Sequence, residues 1–173
     1  GYMRGLDEDN QTRYFASFAV SVAAAVGIAF AGNLLTIFVF YEVLSVATYP
    51  LVAHDETPEA RAAGRKYLAY TFFGGGVLVL AGTTLVYWLT GIAGPAGSAT
   101  VDFTPGGIAE LANADPTAAT LAFIVLALGF GVKAGLMPLH QWLPEAMVAP
   151  TPVSGLLHAV AVVKSGVFGV ARI

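Results

Sequence analysis

The chain has 173 residues, of which 57% are hydrophobic and 11% charged, with a formal net charge of −3 and no cysteine. An ordinary soluble domain carries about 25% charged residues, so this composition argues against a water-exposed globular protein and favours a membrane protein. The small negative charge excludes the clustered basic surface that nucleic-acid binding needs. The lack of cysteine excludes thiolate metal sites, disulfides and thiol catalysis.

Long apolar stretches predict an all-α polytopic bundle with about five transmembrane helices, one of them discontinuous, in a single transmembrane region over residues 1–173. One crossing of the hydrocarbon core takes about 20 apolar residues. The chain begins without a signal peptide and ends directly after an apolar stretch, so we expect it to be a fragment of a longer protein. The predicted spans are 14–31, 34–52, 67–92, 116–147 and 153–171.

Turn and cap signals set these boundaries. The pair Gly32-Asn33 predicts a turn between the first two spans. Asp115-Pro116 is typical of an N-cap followed by proline at the first helical position, and Thr151-Pro152 repeats that signal before the last span.

Three other segments are predicted to depart from straight helix. Residues 53–66 form a polar connector, and residues 93–115, rich in Gly, Ala, Thr and Pro, form an exposed loop. Pro138 interrupts the fourth span near 136–138, because proline removes a helical hydrogen bond and clashes with the preceding turn.

The positive charges predict an orientation in the cell membrane. All the Lys and Arg residues of the short connecting segments fall on one side, and none falls on the other. Because such residues are enriched in cytoplasmic loops, we expect the N-terminus of this chain and loop 53–66 to be cytoplasmic. The residues counted are Arg4, Arg13, Arg61, Arg65 and Lys66.

Four ionisable residues lie inside the predicted spans: Glu42, Lys133, His158 and Lys164. Burying the acid and the two lysines at helix centres costs on the order of 8 to 10 kcal/mol, which favours a functional role. We predict that the four residues form a proton relay. The alternatives are a structural ion pair between Glu42 and Lys133, and a packing role for His158.

His140 and Glu145 are possible secondary polar sites near the end of the fourth span. Trp142 beside them is a typical anchor at the membrane surface, so the alternative is that both are interfacial caps. No metal site is predicted, because these two residues lack the spacing and the third ligand of a helical zinc site. No cofactor is predicted either, since the chain has no dinucleotide-binding glycine motif and no cysteine for iron–sulfur clusters.

Long motifs resemble the signature of the proton-conducting antiporter family. That family comprises the antiporter-like subunits of respiratory complex I, their counterparts in membrane-bound hydrogenases, and the large subunits of Mrp-type Na⁺/H⁺ antiporters. The motifs are KAGLMPLHQWLPEAM at 133–147, APTPVSGLLH at 149–158, VKSGVF at 163–168 and AGNLLTIFVFYE at 31–42.

The resemblance implies that the spans correspond to the fourth to eighth helices of the family's inverted-repeat core. It implies that Glu42 is the carboxylate of the fifth helix, Lys133 the central lysine of a broken seventh helix, and Lys164 the lysine of the eighth. The chain keeps both His158 and Lys164, and which of them is the principal relay stays open.

The function expected from this resemblance is proton translocation in a multisubunit Na⁺/proton antiporter, with other membrane subunits, the lipid bilayer, protons and a monovalent cation as partners. No covalent chemistry is expected in this chain. The first alternative is a proton-pumping subunit of a complex I or hydrogenase, which has its redox centres elsewhere. The second alternative is a structural membrane scaffold.

Overall fold

The computed structural model describes residues 2–5, 9–93, 99–105 and 107–173. Within these residues the regular structure is helical, and no strand longer than an isolated bridge occurs. Five of the helices are long and apolar enough to cross a membrane. The predicted all-α polytopic bundle is therefore confirmed.

The α-helices are numbered in chain order. α1 is a single turn, and two π-helical segments, each of which widens the helical turn, join α4 to α5 and α8 to α9. The bounds are α1 Tyr2–Gly5, α2 Gln11–Ala29, α3 Leu34–Val52, α4 Pro58–Leu68, π segment Ala69–Gly76, α5 Val77–Ala93, α6 Pro116–Ala134, α7 Trp142–Glu145, α8 Thr151–Gly155, π segment Leu156–Val160 and α9 Val162–Arg172.

α6 packs against α5, α9 and the π segment Ala69–Gly76, while α2 packs along α3. Most of its side chains are apolar, and it leaves Leu121, Ile124 and Leu128 exposed, as expected for a helix that faces lipid on one side. This position places Lys133, in its last turn, among the surrounding helices.

Two predicted boundaries are confirmed by cap geometry. The Asn33 side chain accepts a hydrogen bond from the Thr36 amide at 2.7 Å and so begins α3. Asp115 accepts one from the Ala118 amide at 3.0 Å, with proline at the first position of α6. At the last span the prediction was wrong: Thr151 lies inside α8, and its N-cap is Pro150, which has no capping side chain.

The connector predicted at 53–66 is shorter than expected. α4 begins at Pro58, where the Thr57 side chain accepts a hydrogen bond from the Ala60 amide at 3.1 Å. From Pro58 the chain stays helical through the π segment to Ala93. The third apolar helix therefore starts nine residues before the predicted span, because capping chemistry prevails over the polar composition of that stretch.

The segment predicted as an exposed loop at 93–115 packs against the bundle in its described part. The Leu34 amide donates to the Val101 carbonyl at 3.0 Å, and the Phe103 amide donates to the Gly32 carbonyl at 2.9 Å. Val101, Phe103 and Leu111 are partly buried against the core. Residues 94–98 and 106 of the predicted loop lie outside the described residues.

α6 ends earlier than the Pro138 interruption predicts. Its last residue is Ala134, and Gly135 follows at φ 74°, in the left-handed region that glycine adopts without strain. Residues 136–141 form turns before the short helix α7. Gly135 rather than Pro138 therefore marks the helix end, and Pro138 is exposed on the turn.

Candidate functional site

Lys133 is fully buried in the last turn of α6. Its ammonium group donates a hydrogen bond to the main-chain carbonyl of Tyr41 and lies 3.4 Å from the centroid of the Tyr41 ring. A carbonyl dipole and the face of an aromatic ring both stabilise a cation that has lost its water. Tyr41 therefore provides the immediate environment of this lysine.

Tyr41 is itself held by α6. Its hydroxyl donates to the Gly129 carbonyl at 2.8 Å, one turn before Lys133, and its ring meets Phe130 edge to face. The ring has no exposed surface. The position of the aromatic face relative to Lys133 is thus set by a hydrogen bond and by packing.

Glu42 follows Tyr41 on α3 and is half-buried. Its side chain lies over Gly76, at the end of the π segment, where a Cβ atom would fall 2.7 Å from the carboxyl carbon. Its Oε1 is buried without a hydrogen-bond partner. A buried carboxylate oxygen with no donor is costly, which makes Glu42 a candidate to accept a proton or an ordered water.

Glu42 and Lys133 lie near each other but do not form an ion pair. Their charges interact electrostatically, yet no oxygen–nitrogen pair of these two described residues comes within 4.0 Å. The lysine contacts the backbone and ring of Tyr41 instead. A donor and an acceptor held apart in this way can exchange a proton through a small side-chain movement or a bridging water.

His158 lies in the second π segment and is half-buried. Its Nδ1 is 2.7 Å from the Ser154 main-chain carbonyl, an acceptor, so Nδ1 carries the hydrogen in this arrangement. The opposite ring nitrogen, Nε2, is then available to accept or release a proton.

Lys164 lies in the first turn of α9. It is mostly exposed and lines a cavity of about 240 Å³ between α2 and α9, beside Ile28 and Ser165. Between His158 and Lys164 the helix departs from α geometry, with Ala161 at φ −114°. On an ideal helix, residues six positions apart differ in direction by about 120°, and this segment departs from that geometry.

The two secondary sites, His140 and Glu145, lie in the segment after α6. His140 is half-buried, and its Nδ1 is buried without a hydrogen-bond partner. Glu145 forms an ion pair with Lys66 of α4. Lys66 entered the prediction only as a loop charge, and the pair joins positions that are 79 residues apart in the chain.

Other buried polar groups of the described structure were not predicted. Tyr67 is fully buried and its hydroxyl lies 2.6 Å from that of Thr48. His54 is 4% exposed, meets the Tyr14 ring edge to face, and has a buried Nδ1 without a hydrogen-bond partner. Tyr41 was not predicted either, and its position directly before Glu42 was the one sequence signal for it. No cluster of potential metal ligands occurs among the residues the structure describes.

A family model described as "NADH:quinone oxidoreductase/Mrp antiporter, TM" matches residues 31–173. The NAD(P)H-quinone oxidoreductase subunit 5 of the Chaetosphaeridium globosum chloroplast is 35% identical over 100% of this chain and 25% of its own length. A Na⁺/H⁺ antiporter subunit of Alkalihalophilus pseudofirmus is 32% identical over 95% of this chain and 20% of its own length.

A solved structure, of the membrane-bound sulfane sulfur reductase, an archaeal respiratory membrane complex, has a chain that superposes with a TM-score of 0.79. The two chains are 29% identical, over 92% of this chain and 31% of the other. The chain spans about a quarter of the length of the curated relatives it matches.

Proposed function

Because the chain belongs to the NADH:quinone oxidoreductase/Mrp antiporter transmembrane family, we propose that it is part of a proton-translocating subunit in a multisubunit Na⁺/proton antiporter. The observation that carries the proposal is Lys133, fully buried and held by Tyr41, beside a Glu42 carboxyl with an unpartnered oxygen. An intramembrane pair of a base and an acid is expensive to bury and is typical of proton pathways.

In this proposal Lys133 is the central proton carrier. When the Glu42 carboxylate approaches, it stabilises the ammonium form, and its withdrawal promotes release of the proton. Tyr41 stabilises the ammonium through its carbonyl and its ring, so that the charge is held without a permanent ion pair. Movement of Glu42 over Gly76 is the small displacement that changes the state of Lys133.

His158 and Lys164 continue the relay away from Lys133. The Nε2 of His158 accepts or releases a proton while Nδ1 stays bonded to Ser154. Lys164, exposed at the edge of the described bundle, passes the proton to a polar group outside this chain segment. The N-terminal side of the segment and the turn before α4 face the cytoplasm, and the partners are other membrane subunits and lipid.

The test is proton flux in liposomes that carry the complete complex. Lys133→Met keeps the length of the side chain but removes the titratable group, and Lys133→Arg keeps a charge that does not titrate in the working range. We expect both variants to lose transport while the complex assembles normally. Leu128→Ala, at an exposed apolar residue of α6 five positions earlier, is the matched control and retains transport. Normal flux in both lysine variants contradicts the proposal.

A second candidate is a proton-pumping subunit of a quinone oxidoreductase, favoured by the 35% identity to a subunit 5. The same residues act in both cases, but the energy source differs. In the antiporter, a Na⁺ gradient alone drives proton movement in liposomes. In the oxidoreductase, proton movement requires electron transfer to quinone and is insensitive to the Na⁺ gradient.

A structural scaffold predicts a different result for Lys133→Met. Transport stays normal, and the yield or thermal stability of the assembled complex falls. Measuring flux and assembly on the same preparations separates the scaffold from the relay.

A further inference from the structure

The segment after α6, residues 136–148, is held to one face of the third membrane helix by three different contacts. Glu145 pairs with Lys66. The ring of Trp142 meets the ring of Tyr67 at a centroid distance of 5.3 Å. The hydroxyl of Tyr70 donates to the side-chain oxygen of Gln141 at 3.2 Å. All three partners on the helix lie within five successive positions, 66–70, so they form a single docking surface.

Trp142 connects this segment directly to the end of α6. It is fully buried, and its indole nitrogen donates to the Val132 carbonyl at 2.8 Å. Carbonyls in the last turn of a helix lack their usual amide partner four residues on. At this helix end the Leu136 amide bonds to Gly131 at 2.9 Å, so the Val132 carbonyl keeps only a longer bond from the Gly135 amide, at 3.3 Å, and the indole is its second donor. Val132 immediately precedes Lys133, so the indole covers the helix end that carries the buried ammonium.

The contacts differ in strength. Lys66 and Glu145 keep 31% and 42% of their side-chain surface exposed, and pairs this exposed are weak. The buried Trp142, by contrast, excludes water from the helix end. His140, in the same segment, has a buried Nδ1 without a partner, so the closed arrangement leaves a polar group that water would satisfy. The segment is therefore held by the buried Trp142 together with a weak, half-exposed ion pair, and its unpartnered His140 nitrogen gains a partner when water enters.

We propose that the Lys66–Glu145 ion pair is a latch that holds residues 136–148 closed over Lys133. Opening of the latch lifts Trp142 from Val132 and lets water reach Lys133 from the α4 side of the membrane. Lys66 and Glu145 are positioning residues, since neither contacts Lys133. The latch rests on the proposed function of Lys133 as a proton carrier.

The first test measures whether the latch closes the segment. Ala146, next to Glu145, is fully buried, so Ala146→Cys reports opening through its reaction with a membrane-impermeant maleimide, read from the labelled peptide in vesicles with the complete complex. We expect Lys66→Ala to raise the labelling rate about two- to fivefold, which is the range that an exposed ion pair can account for. The swap Lys66→Glu with Glu145→Lys restores the parent rate. Arg65→Ala, at the exposed neighbouring cation, is the matched control and leaves it unchanged.

Equal labelling in Lys66→Ala and Arg65→Ala overturns the latch. If Ala146→Cys prevents assembly, amide hydrogen exchange over 139–148 replaces it. Exchange over these residues must then rise in Lys66→Ala and return to the parent rate in the charge swap. Equal exchange in all variants also overturns the latch.

The second test measures what the latch controls. We expect Lys66→Ala to raise passive proton leak about two- to fivefold in liposomes, and Lys133→Met added to it to remove the extra leak. Faster labelling without any extra leak overturns the proposal that the latch controls the access of water to Lys133. The Lys66–Glu145 pair then has only a structural role. Intact transport in Lys133→Met alone refutes the proposed function instead, while the labelling rates still decide whether the latch closes the segment.

Discussion

The ammonium group of Lys133 donates a hydrogen bond to the main-chain carbonyl of Tyr41, a residue 92 positions earlier in the chain. The Tyr41 hydroxyl meanwhile donates to Gly129, one turn before Lys133 on the same helix. Tyr41 thus contacts α6 at two places, through its carbonyl at Lys133 and through its hydroxyl at Gly129. The face of its ring lies against the ammonium group. The lysine is stabilised by a neutral residue, and Glu42 is free of a fixed pairing with it.

Tyr41 variants separate the ring from the hydroxyl. Tyr41→Phe keeps the aromatic face and loses the bond to Gly129, so we expect near-normal proton flux and a loss of about 1 kcal/mol in stability. Tyr41→Leu removes the ring, whose contact with a desolvated cation is worth about 2 kcal/mol, so flux should fall roughly tenfold or more. Liposome flux and thermal unfolding of the complex measure the two effects. Equal flux in the two variants would mean that the ring does not support Lys133.

Gly76 is the second sensitive position. A Cβ there falls 2.7 Å from the Glu42 carboxyl carbon, so Gly76→Ala must displace the carboxyl group. We expect flux in liposomes to fall at least about tenfold, equivalent to about 1.4 kcal/mol in the barrier.

Gly74 offers a matched control for that change within the same π segment. Its nearest neighbour to an added Cβ is the Ala69 carbonyl at 3.6 Å, an ordinary contact. Gly74→Ala should therefore transport as the parent does. A comparable loss in both variants would assign the effect to the π segment as a whole instead of to the space over Gly76.

The buried hydroxyl pair Thr48–Tyr67 tests packing between α3 and α4. Thr48 Oγ1 also lies 2.6 Å from the Leu44 carbonyl, so its hydrogen goes to that carbonyl and Tyr67 donates to Thr48. Thr48→Val removes the Thr48 acceptor of the fully buried Tyr67 hydroxyl and should cost about 1 to 3 kcal/mol. Adding Tyr67→Phe removes the stranded group, so the double variant should lose less than the sum of the single losses. Additive losses in unfolding experiments would show that the two hydroxyls act independently.

Outside the membrane spans, Glu56 gives a dependence on pH. The Arg13 side chain, by hydrogen bonding and charge, holds the pKa of this exposed carboxyl below its usual value of 4.5. A lowered carboxyl pKa stabilises the folded state above the unfolded pKa, and that contribution disappears as the pH falls through the folded pKa. Parent and Glu56→Gln should therefore differ in thermal stability near neutral pH and converge once the pH has fallen through the lowered pKa of Glu56. A difference that persists in acid would exclude the Arg13 contact as its cause.

Local signals predicted local structure well. Asn33 and the pair Asp115-Pro116 begin helices as expected, because a cap depends on residues within one turn. Thr151 has the same appearance but lies inside the helix, since Pro150 already begins that turn. The helix break was predicted at Pro138, but α6 ends three residues earlier, at the left-handed Gly135. Either residue can stop a helix, and their order along the chain decided which one does.

Contacts between distant residues were beyond sequence patterns. Glu42 and Lys133 were predicted as site residues from their charge inside apolar spans, and whether they carry protons stays a prediction. The role of Tyr41 depends on how α3 meets α6, and the pairing of Lys66 with Glu145 depends on where residues 136–148 fold back. No sequence pattern marks Tyr41 or the Lys66–Glu145 pair as contacts between distant parts of the chain. The packing of Val101 and Phe103 against the turn at Gly32-Asn33 also could not be predicted, because the loop that carries these two residues has few apolar residues.

The eight-residue π segment Ala69–Gly76 also sets the rotational phase of the longest helix. Each residue advances an α-helix by about 100°, and a widened turn accommodates residues without that full advance. Lys66 and Tyr67 precede the segment, and Gly76 ends it. These residues face their different partners only because the segment has its present number of residues. Deleting one residue inside it would turn one half of the helix by about a quarter of a revolution. Sequence length across 69–76 is thus as constrained as the identity of any charged residue.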